Sequence, residues 1–220
     1  LIDGGSFFNM CKNGGNESRK PITNFLKTLV RYYDRDSDLL IKKIEIFRNM
    51  RNEAEKATAD LAKIYGEPVW CNGLNRRNTH LMAVAPTVSN SLISGNLSAG
   101  IEPWSANIFV QNSAKGTFIR KNQQLEVLLE HKGQNTDETW NQINRDAGSV
   151  LNLKFLSKEE KEVFATAREI NQFAIIKQAG QRQKWIDQGQ SVNLFFGINA
   201  DPKYIHEVHK MAYDVGLKGL

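Results

Sequence analysis

The sequence contains little cysteine, with only Cys11 and Cys71 among its 220 residues. Two cysteines cannot build a disulfide framework, and neither has a companion at the spacing of a metal-binding or redox motif. We therefore interpret both as structural or incidental thiols. Such sparse cysteine is typical of a cytosolic protein, so we expect a cytoplasmic location.

Long apolar runs are also missing. No window reaches the length of about 18 uncharged apolar residues that a membrane-spanning helix needs, so we expect no membrane association. The first residues show no basic segment followed by an apolar stretch, and we expect no secretory signal there. Hydrophobic residues still make up 40% of the chain. That content is sufficient for a packed core and excludes wholesale disorder.

Charge of one sign is not concentrated anywhere in the chain. The formal net charge is +5 and the sequence pI is about 9.1, which permits affinity for anions. However, lysine and arginine are interspersed with acidic residues, as in KEEKEVFATAREI. Because neither a basic block nor an aromatic platform is present, we expect no direct nucleic-acid binding.

The N-terminal part of the chain changes character at Ser37. Residues 1–20 are rich in glycine and asparagine, and we expect a poorly ordered arm there, with the folded portion in residues 21–220. From Ser37, apolar residues recur every three or four positions, which predicts a long helix capped by Asp36 or Ser37 and ended by Gly66 and Pro68. Its predicted core face consists of Leu40, Ile44, Phe47, Ala54, Ala57, Leu61 and Ile64.

Strand and hairpin signals follow. THLMAVAP (79–86) and SVNLFF (191–196) are short β-prone runs that predict strands. NIFVQNSAKGTFIR (107–120) predicts a hairpin with Gly116 in its loop.

Helical patterns occupy most of the remaining sequence. NQQLEVLLEHKG (122–133), stopped by Gly133, and NTDETWNQINRD (135–146) each predict a helix. Ser157 and Glu160 form a capping box ahead of a predicted helical face. The helical pattern continues through IIKQAGQRQKWIDQ (175–188), where Gly180 weakens the predicted helix. That face consists of Val163, Ala167, Ile170 and Ala174.

The last predicted helix begins at the cap Asp201, with Pro202 at its first position, and Gly216 closes it. Its predicted face consists of Ile205, Val208, Ala212 and Val215. Alternation of strands and helices predicts an α/β fold with some antiparallel pairing.

The stretch AVAPTVSNSLISGN (83–96) is the main candidate site, because an apolar run meets a proline and then several hydroxyl and amide side chains. If a helix starts after Thr87, its first turn supplies free N–H groups that can bind a phosphate, with hydroxyls from Thr87, Ser89 and Ser91 and the amide of Asn90. The stretch has no lysine, so it is not a Gly-rich triphosphate loop. An ordinary strand followed by a capped helix would look similar, and the residues alone leave both interpretations open.

The histidines give a weaker signal. His206 and His209 are three positions apart, whereas the metalloprotease pattern needs a spacing of four with a glutamate between the two. No third ligand is evident, which favours structural or surface roles over a metal site. His80 and His131 are isolated in the sequence.

A family resemblance is carried by RRNTHLMAVAPTVSNSLISGNLSAGIEP (76–103). This stretch resembles the large (alpha) subunit of class I ribonucleotide reductases, in which Arg-Asn-x-x-Leu-x-Ala-x-x-Pro-Thr-x-Ser-x-Ser leads into Gly-Ile-Glu-Pro. Other segments resemble the same subunits in the same order: ATADLAKIYGEP, LLEHKGQNTDETWNQI, GSVLNLKFLSKEEKEVFATAREINQ, AGQRQKWIDQGQSVNLFF and IHEVHKMAYDVGLKGL.

The resemblance implies a fold and a site. The fold is the α/β barrel of that enzyme, with residues 21–220 as a C-terminal portion of the barrel domain. In the family, the Pro-Thr-x-Ser segment binds the diphosphate of the ribonucleoside diphosphate substrate. The corresponding residues here are Pro86, Thr87, Val88, Ser89 and Asn90. The implied activity is ribonucleoside-diphosphate reduction for deoxyribonucleotide synthesis, in partnership with a radical-generating small subunit.

The reaction centre of the family has no counterpart that we can assign. The family places its radical cysteine in an Asn-x-Cys-x-Glu loop, whereas Asn9-Met10-Cys11-Lys12-Asn13 ends in asparagine and lies too close to the phosphate segment. We therefore assign no catalytic residue, no metal ligand and no cofactor to this chain. We expect a further large-subunit portion that carries the radical cysteine. The alternative is a non-catalytic remnant that only binds phosphate or a partner subunit.

Overall fold

The computed structural model describes residues 37–93, 98–113 and 116–220. This part of the chain is a mixture of helices and one antiparallel hairpin, and no helix in it is both long enough and apolar enough to cross a membrane. The predicted N-terminal arm and the cap Asp36 lie outside these residues. The elements in chain order are α1 Ser37–Tyr65, a 3-10 turn Val69–Cys71, α2 Val88–Ile93, β1 Ile108–Ser113, β2 Gly116–Lys121, α3 Gln123–His131, α4 Asp137–Arg145, α5 Lys158–Val163, α6 Gln172–Gln183 and α7 Pro202–Asp214.

Helix α1 ends where the sequence predicts. Gly66 adopts a left-handed φ of 75°, and its N–H donates to the Ala62 carbonyl at 2.9 Å, a common helix ending that favours glycine. The guanidinium of Arg77 donates to the carbonyls of Tyr65 and Gly66 at 3.3 and 3.1 Å. A cation at the negative end of the helix stabilises it, and the same contact fixes the segment that follows.

The buried face of α1 differs from the prediction in its C-terminal half, whereas Phe47 packs against a core cluster as predicted. Thr58 and Ala62 are only 2% and 7% exposed. The hydroxyl of Thr58 accepts from the N–H groups of Arg77 and Asn78 at 3.0 and 2.8 Å, so a polar segment covers this face. The face is thus rotated from the one that apolar spacing indicates, because hydrogen bonding at Thr58 determines it. Three predicted core residues are exposed as a consequence: Ala57, Leu61 and Ile64.

The predicted hairpin forms, with β1 and β2 paired from Ile108 opposite Lys121 to Ser113 opposite Gly116. Gly116 was expected in the loop, but it is the first residue of β2. Its base is anchored by a buried amide pair, in which Asn122 Nδ2 donates to Asn107 Oδ1 at 2.9 Å. Asn107 Nδ2 in turn donates to the carbonyls of Gly148 and Phe164 at 2.9 and 2.8 Å. These bonds satisfy the buried amides and fix the hairpin to the helical part of the fold.

Helices α3 and α4 build the largest core cluster. Asn122 caps α3 by accepting from Gln124 N–H at 3.1 Å, and Thr136 caps α4 by accepting from Thr139 N–H at 3.3 Å. The cluster consists of Leu125, Leu129, Trp140, Ile143, Val150, Leu153 and Leu156. Each such buried side chain contributes about 1.5–3 kcal/mol relative to exposure, so this region anchors the fold.

The strands predicted at 79–86 and 191–196 do not form. The chain is extended and parallel here, but one isolated bridge forms, between Val84 and Gln190, the residue that precedes the second predicted strand. Val84 N–H donates to the Gly189 carbonyl at 3.2 Å and Ser191 N–H to the Val84 carbonyl at 2.8 Å.

The ladder does not extend beyond this bridge, because Met82 N–H binds the Asp187 carboxylate and Pro86 has no N–H to donate. Side-chain oxygens also accept from other N–H groups of these segments: Leu81 to Asp187, Asn193 to Glu102, and Phe195 to Gln172.

The predicted helical stretch after Ser157 is interrupted. The capping box is confirmed, with Glu160 N–H donating to Ser157 Oγ at 3.2 Å and Ser157 N–H to Glu160 Oε2 at 2.8 Å. However, Ala167 N–H donates to the carbonyl of Trp104 at 2.7 Å rather than to its own helix. This long-range bond ends α5 at Val163 and separates it from α6. The continuous face through Val163, Ala167, Ile170 and Ala174 is therefore wrong.

Helices α6 and α7 pack closely around Gly180. A Cβ atom at this position would lie 2.6 Å from Val215 Cγ2, so glycine allows the close approach of the two segments. Helix α7 begins as predicted, because Asp201 Oδ1 accepts from Lys203 N–H at 2.9 Å. Its buried residues Val208 and Ala212 belong to the predicted face.

Candidate functional site

The predicted phosphate loop lies at the entry to α2, which starts at Val88. Pro86 is exposed, and Thr87 is half-buried. Thr87 has a φ of 43°. A left-handed conformation is rare for a β-branched residue and costs on the order of 1–3 kcal/mol, so the surrounding contacts must impose it.

A turn at residues 99–102 holds Thr87 in this conformation. Gly100 N–H donates to Thr87 Oγ1 at 2.8 Å. The turn is closed by Glu102 N–H, which donates to the Ala99 carbonyl at 3.2 Å. Gly100 itself has a φ of 59°. The hydroxyl of Thr87 accepts this bond and still carries a proton that it can donate.

Ser91 takes a different role from the predicted one. Its side chain is buried, and its Oγ donates to the Val88 carbonyl at 2.8 Å. The hydroxyl proton is therefore used within α2, and Ser91 is not a phosphate donor in this arrangement. By contrast, the side chains of Ser89 and Asn90 are exposed on the first turn.

The first turn of α2 also presents backbone donors. The first intrahelical bond runs from Ser91 N–H to the Thr87 carbonyl at 2.9 Å. The N–H groups of Val88 and Ser89 precede that bond in the helix and point from its N-terminal end. The structure thus brings Pro86, Thr87, Val88, Ser89 and Asn90 together in one exposed turn.

An open cleft of about 280 Å³ lies beside this turn. It runs between α2, the turn at 99–102 and strand β1. The rings of Trp104 and Phe109 meet in its wall, with centroids 5.6 Å apart. The remaining lining combines apolar and polar groups: Val88, Ser91, Ser98, Ala99, Glu102, Pro103, Ser105, Gln111 and Phe195.

Glu102 connects this cleft to a distant segment. Its Oε1 accepts from the backbone N–H of Asn193 at 2.7 Å and from Asn193 Nδ2 at 2.9 Å. The second oxygen, Oε2, accepts from the same Nδ2 at 3.1 Å. Our sequence analysis assigned no role to either residue. The available signal was the Gly-Ile-Glu-Pro segment, in which Glu102 is the only charged residue.

Asp187 fixes the extended segment that leads into the loop. Its carboxylate accepts from the N–H groups of Leu81 and Met82 at 2.8 and 2.9 Å, and Arg51 Nη1 lies 3.0 Å from it. Partial burial raises the pKa of Asp187, but the two N–H groups and the guanidinium outweigh burial, and the pKa lies below its usual range. The sequence offered no signal for this role.

The histidines and the described cysteine lie outside the site. His206 and His209 are exposed on α7, where His209 Nδ1 contacts the Ile205 carbonyl at 2.8 Å. His80 and His131 are also exposed, and Cys71 is buried in the 3-10 turn. In residues 37–93, 98–113 and 116–220, no cluster of three or more histidine, cysteine or acidic residues could hold a metal ion.

Comparison with known proteins decides the family. The model of the ribonucleotide reductase barrel domain matches residues 70–220. The chain belongs to the ribonucleotide reductase barrel-domain family. The ribonucleoside-diphosphate reductase large subunit of Invertebrate iridescent virus 3 is 40% identical over 179 residues, covering 80% of this chain and 28% of the viral protein. That of Invertebrate iridescent virus 6 is also 40% identical, over 181 residues, covering 80% and 19%.

A solved structure agrees with this assignment. The alpha subunit of the class Id ribonucleotide reductase from Actinobacillus ureae superposes with a TM-score of 0.76 at 39% identity, covering 89% of this chain and 35% of that subunit. The resemblance to ribonucleotide reductase large subunits and the α/β fold class are therefore confirmed. The chain spans less than a third of the length of the two viral relatives, so it corresponds to a portion of such a subunit.

Proposed function

We propose that this chain is a portion of a ribonucleoside-diphosphate reductase large subunit and contributes the loop that binds the substrate diphosphate. The complete enzyme would be an oxidoreductase that converts ribonucleoside diphosphates to deoxyribonucleotides. Family membership supports this proposal. The proposed binding residues are Pro86, Thr87, Val88, Ser89 and Asn90.

The observation that carries the proposal is the strained turn at Thr87. A left-handed threonine directly before a helix is costly, and such strain in proteins concentrates at ligand clamps and active sites. In this proposal the donors are the N–H groups of Val88 and Ser89, at the start of α2, and the hydroxyls of Thr87 and Ser89. A diphosphate, which is rich in acceptor oxygens, matches these donors.

Hydrogen bonding provides most of the attraction in this proposed site. Helix α2 has only six residues, so its macrodipole is small and the local N–H groups matter most. The loop contains no lysine or arginine. Binding should therefore depend on individual donors, each contributing about 1.5–3 kcal/mol to a charged acceptor.

The proposed assembly follows from the partial coverage of the relatives. We propose a partner portion of the large subunit that carries the radical cysteine, and a separate small subunit that generates the radical. We also propose that the assembly works in the cytoplasm. In this arrangement the chain positions the substrate through its phosphates while the reacting groups come from elsewhere.

The test is the affinity for pyrophosphate of the chain reconstituted with the complementary large-subunit portion, measured by titration calorimetry against the complementary portion alone. Ser89→Ala removes one hydroxyl donor, and we expect roughly ten- to hundredfold weaker binding. Since Ser89 is the second residue of α2 and not its cap, unfolding stability should change by less than about 0.5 kcal/mol.

The matched control is Ser105→Ala, an exposed serine in the wall of the same cleft. Its affinity for pyrophosphate should equal that of the unmodified chain. Lost stability with unchanged affinity in Ser89→Ala would identify an ordinary helix start and contradict the proposal. Equal losses in both variants would contradict binding at the turn.

A further inference from the structure

We propose that Glu102 is a positioning residue for the diphosphate loop, acting through its bonds to Asn193. This inference rests on the proposed function, because the loop that Glu102 positions is the proposed diphosphate site. Glu102 would not need to touch the substrate. Its role would be to hold the turn at 99–102, which in turn holds Thr87.

The first step is the contact between Glu102 and Asn193. Three hydrogen bonds of 2.7 to 3.1 Å join one carboxylate to the backbone and side chain of one asparagine, across 91 positions of sequence. A carboxylate is an acceptor only, and it receives both donors of Asn193 in one geometry. Asn193 lies three residues after the bridge residue Gln190, and that bridge ties its segment to Val84, immediately upstream of the loop.

The second step runs from Glu102 to Thr87. Glu102 closes its own turn through the bond from its N–H to the Ala99 carbonyl. Gly100, inside that turn, donates to Thr87 Oγ1 at 2.8 Å. If the carboxylate is released, the turn loses its connection to the 190–196 segment. Thr87 then loses its support and can relax from the left-handed conformation.

This arrangement predicts that exchanging the two functional groups partly restores the contact. In Glu102→Gln, the new amide nitrogen faces the Asn193 amide nitrogen, so two donors meet. In Asn193→Asp, two carboxylates meet. In the double variant, the amide nitrogen introduced at position 102 donates to the carboxylate introduced at position 193. The amide oxygen at position 102 still accepts from the backbone N–H of residue 193, but it also faces a carboxylate oxygen in place of Nδ2, which lies 2.9 Å from Oε1, so the recovery is partial.

The experiment measures by calorimetry the pyrophosphate affinity of the full chain and of the three variants, each reconstituted with the complementary large-subunit portion. We expect about three- to tenfold weaker binding for Glu102→Gln, a larger loss for Asn193→Asp, and a double variant that binds more tightly than either single variant. Asp146→Asn is the matched control, because Asn152 Nδ2 donates to Asp146 at 3.1 Å in a surface carboxylate–amide bond remote in sequence from the loop. Its affinity should not change.

Hydrogen exchange at the Gly100 amide provides a readout that does not depend on the ligand. Exchange should accelerate in Glu102→Gln and be slower in the double variant than in either single variant. Unchanged Gly100 exchange in a folded Glu102→Gln chain, or a double variant no better than the single ones, would overturn the positioning role. If the reconstituted unmodified chain binds no pyrophosphate, the proposed function fails, and the exchange data still decide whether Glu102 positions the turn.

Discussion

Arg51 and Asp187 form an ion pair, 3.0 Å between Nη1 and Oδ2, that connects the long helix α1 to the segment after α6. The same carboxylate accepts from the N–H groups of Leu81 and Met82. One side chain thus joins α1 to the extended segment that leads into Pro86. The ion pair therefore fixes the direction from which the chain enters the candidate site.

Replacing Asp187 with asparagine should lower the free energy of unfolding by about 1.5–3 kcal/mol at neutral pH, since charge-assisted bonds are lost. Because the folded-state pKa of Asp187 is lowered, its contribution is complete above the unfolded pKa of about 3.9 and disappears as the pH falls through the folded value. Urea unfolding of the original chain and of Asp187→Asn across a pH series measures this difference in the free energy of unfolding.

The control for this series is Asp60→Asn, since Asp60 pairs with Lys63 on the exposed face of α1. Its effect on stability should stay within about 0.5 kcal/mol. A stability difference between the original chain and Asp187→Asn that persists unchanged into strong acid would argue against the ion pair as its cause.

The close packing at Gly180 gives a second prediction. Alanine normally favours a helix interior by about 1 kcal/mol over glycine. Here the added methyl would lie 2.6 Å from Val215 Cγ2, so we expect overpacking to prevail and Gly180→Ala to destabilise the fold by about 1–3 kcal/mol. Thermal unfolding checks this. Gly189→Ala, where a methyl meets nothing within 4 Å, should have a much smaller effect, and a more stable Gly180→Ala chain would disprove the close contact.

Exposed apolar residues after α1 predict self-association of the isolated chain. Val69 and Trp70 are 89% and 86% exposed, and Ile64, Tyr65 and Leu74 lie nearby in sequence and are also exposed. Such a patch favours association with another surface. Size-exclusion chromatography with light scattering should show aggregates, or a tight complex with the complementary large-subunit portion. A stable compact monomer would count against this prediction, and Trp70→Ser tests whether the patch is responsible.

We predict that the purified chain alone does not reduce cytidine diphosphate. Cys11 lacks the glutamate of the family's radical-cysteine loop, and Cys71 is buried. A positioned phosphate cannot substitute for the reacting group. The assay follows deoxycytidine diphosphate formation with a small subunit and a dithiol reductant present. Product formation without any other large-subunit portion would refute the prediction, and adding the complementary portion provides the positive control.

Elements with strong local signals could be predicted from the sequence. Helix α1, the hairpin, α3, α4 and α7 have caps, terminal glycines or clear periodicity, and these signals act over a few residues. The strands at 79–86 and 191–196 and the continuous helix after Ser157 were wrong. In these regions backbone N–H groups bind distant acceptors. Glu102 and Gln172 accept from the segment 191–196, and the Trp104 carbonyl accepts from Ala167 in the predicted helix. No local pattern in the sequence reports which distant oxygen a backbone N–H will meet.

The diphosphate site itself stays a prediction. The residue types at 86–90 indicate a donor-rich turn, and the structure places these residues together. Ser91 was counted as a donor, but burial commits its hydroxyl to Val88. The bond between Glu102 and Asn193 spans 91 positions. Such a contact follows from the tertiary fold and not from spacing in the chain.

Titration with pyrophosphate of the isotope-labelled chain, reconstituted with the unlabelled complementary portion and followed by amide NMR, tests the diphosphate loop most directly. The N–H resonances of Val88 and Ser89 should move downfield and saturate at one common affinity, because hydrogen bonds to a phosphate oxygen deshield the amide proton. Amides in α3 and α4 should not move, and Ser89→Ala should weaken the affinity by roughly tenfold or more. Unmoved resonances at Val88 and Ser89 when pyrophosphate saturates the chain would contradict the account.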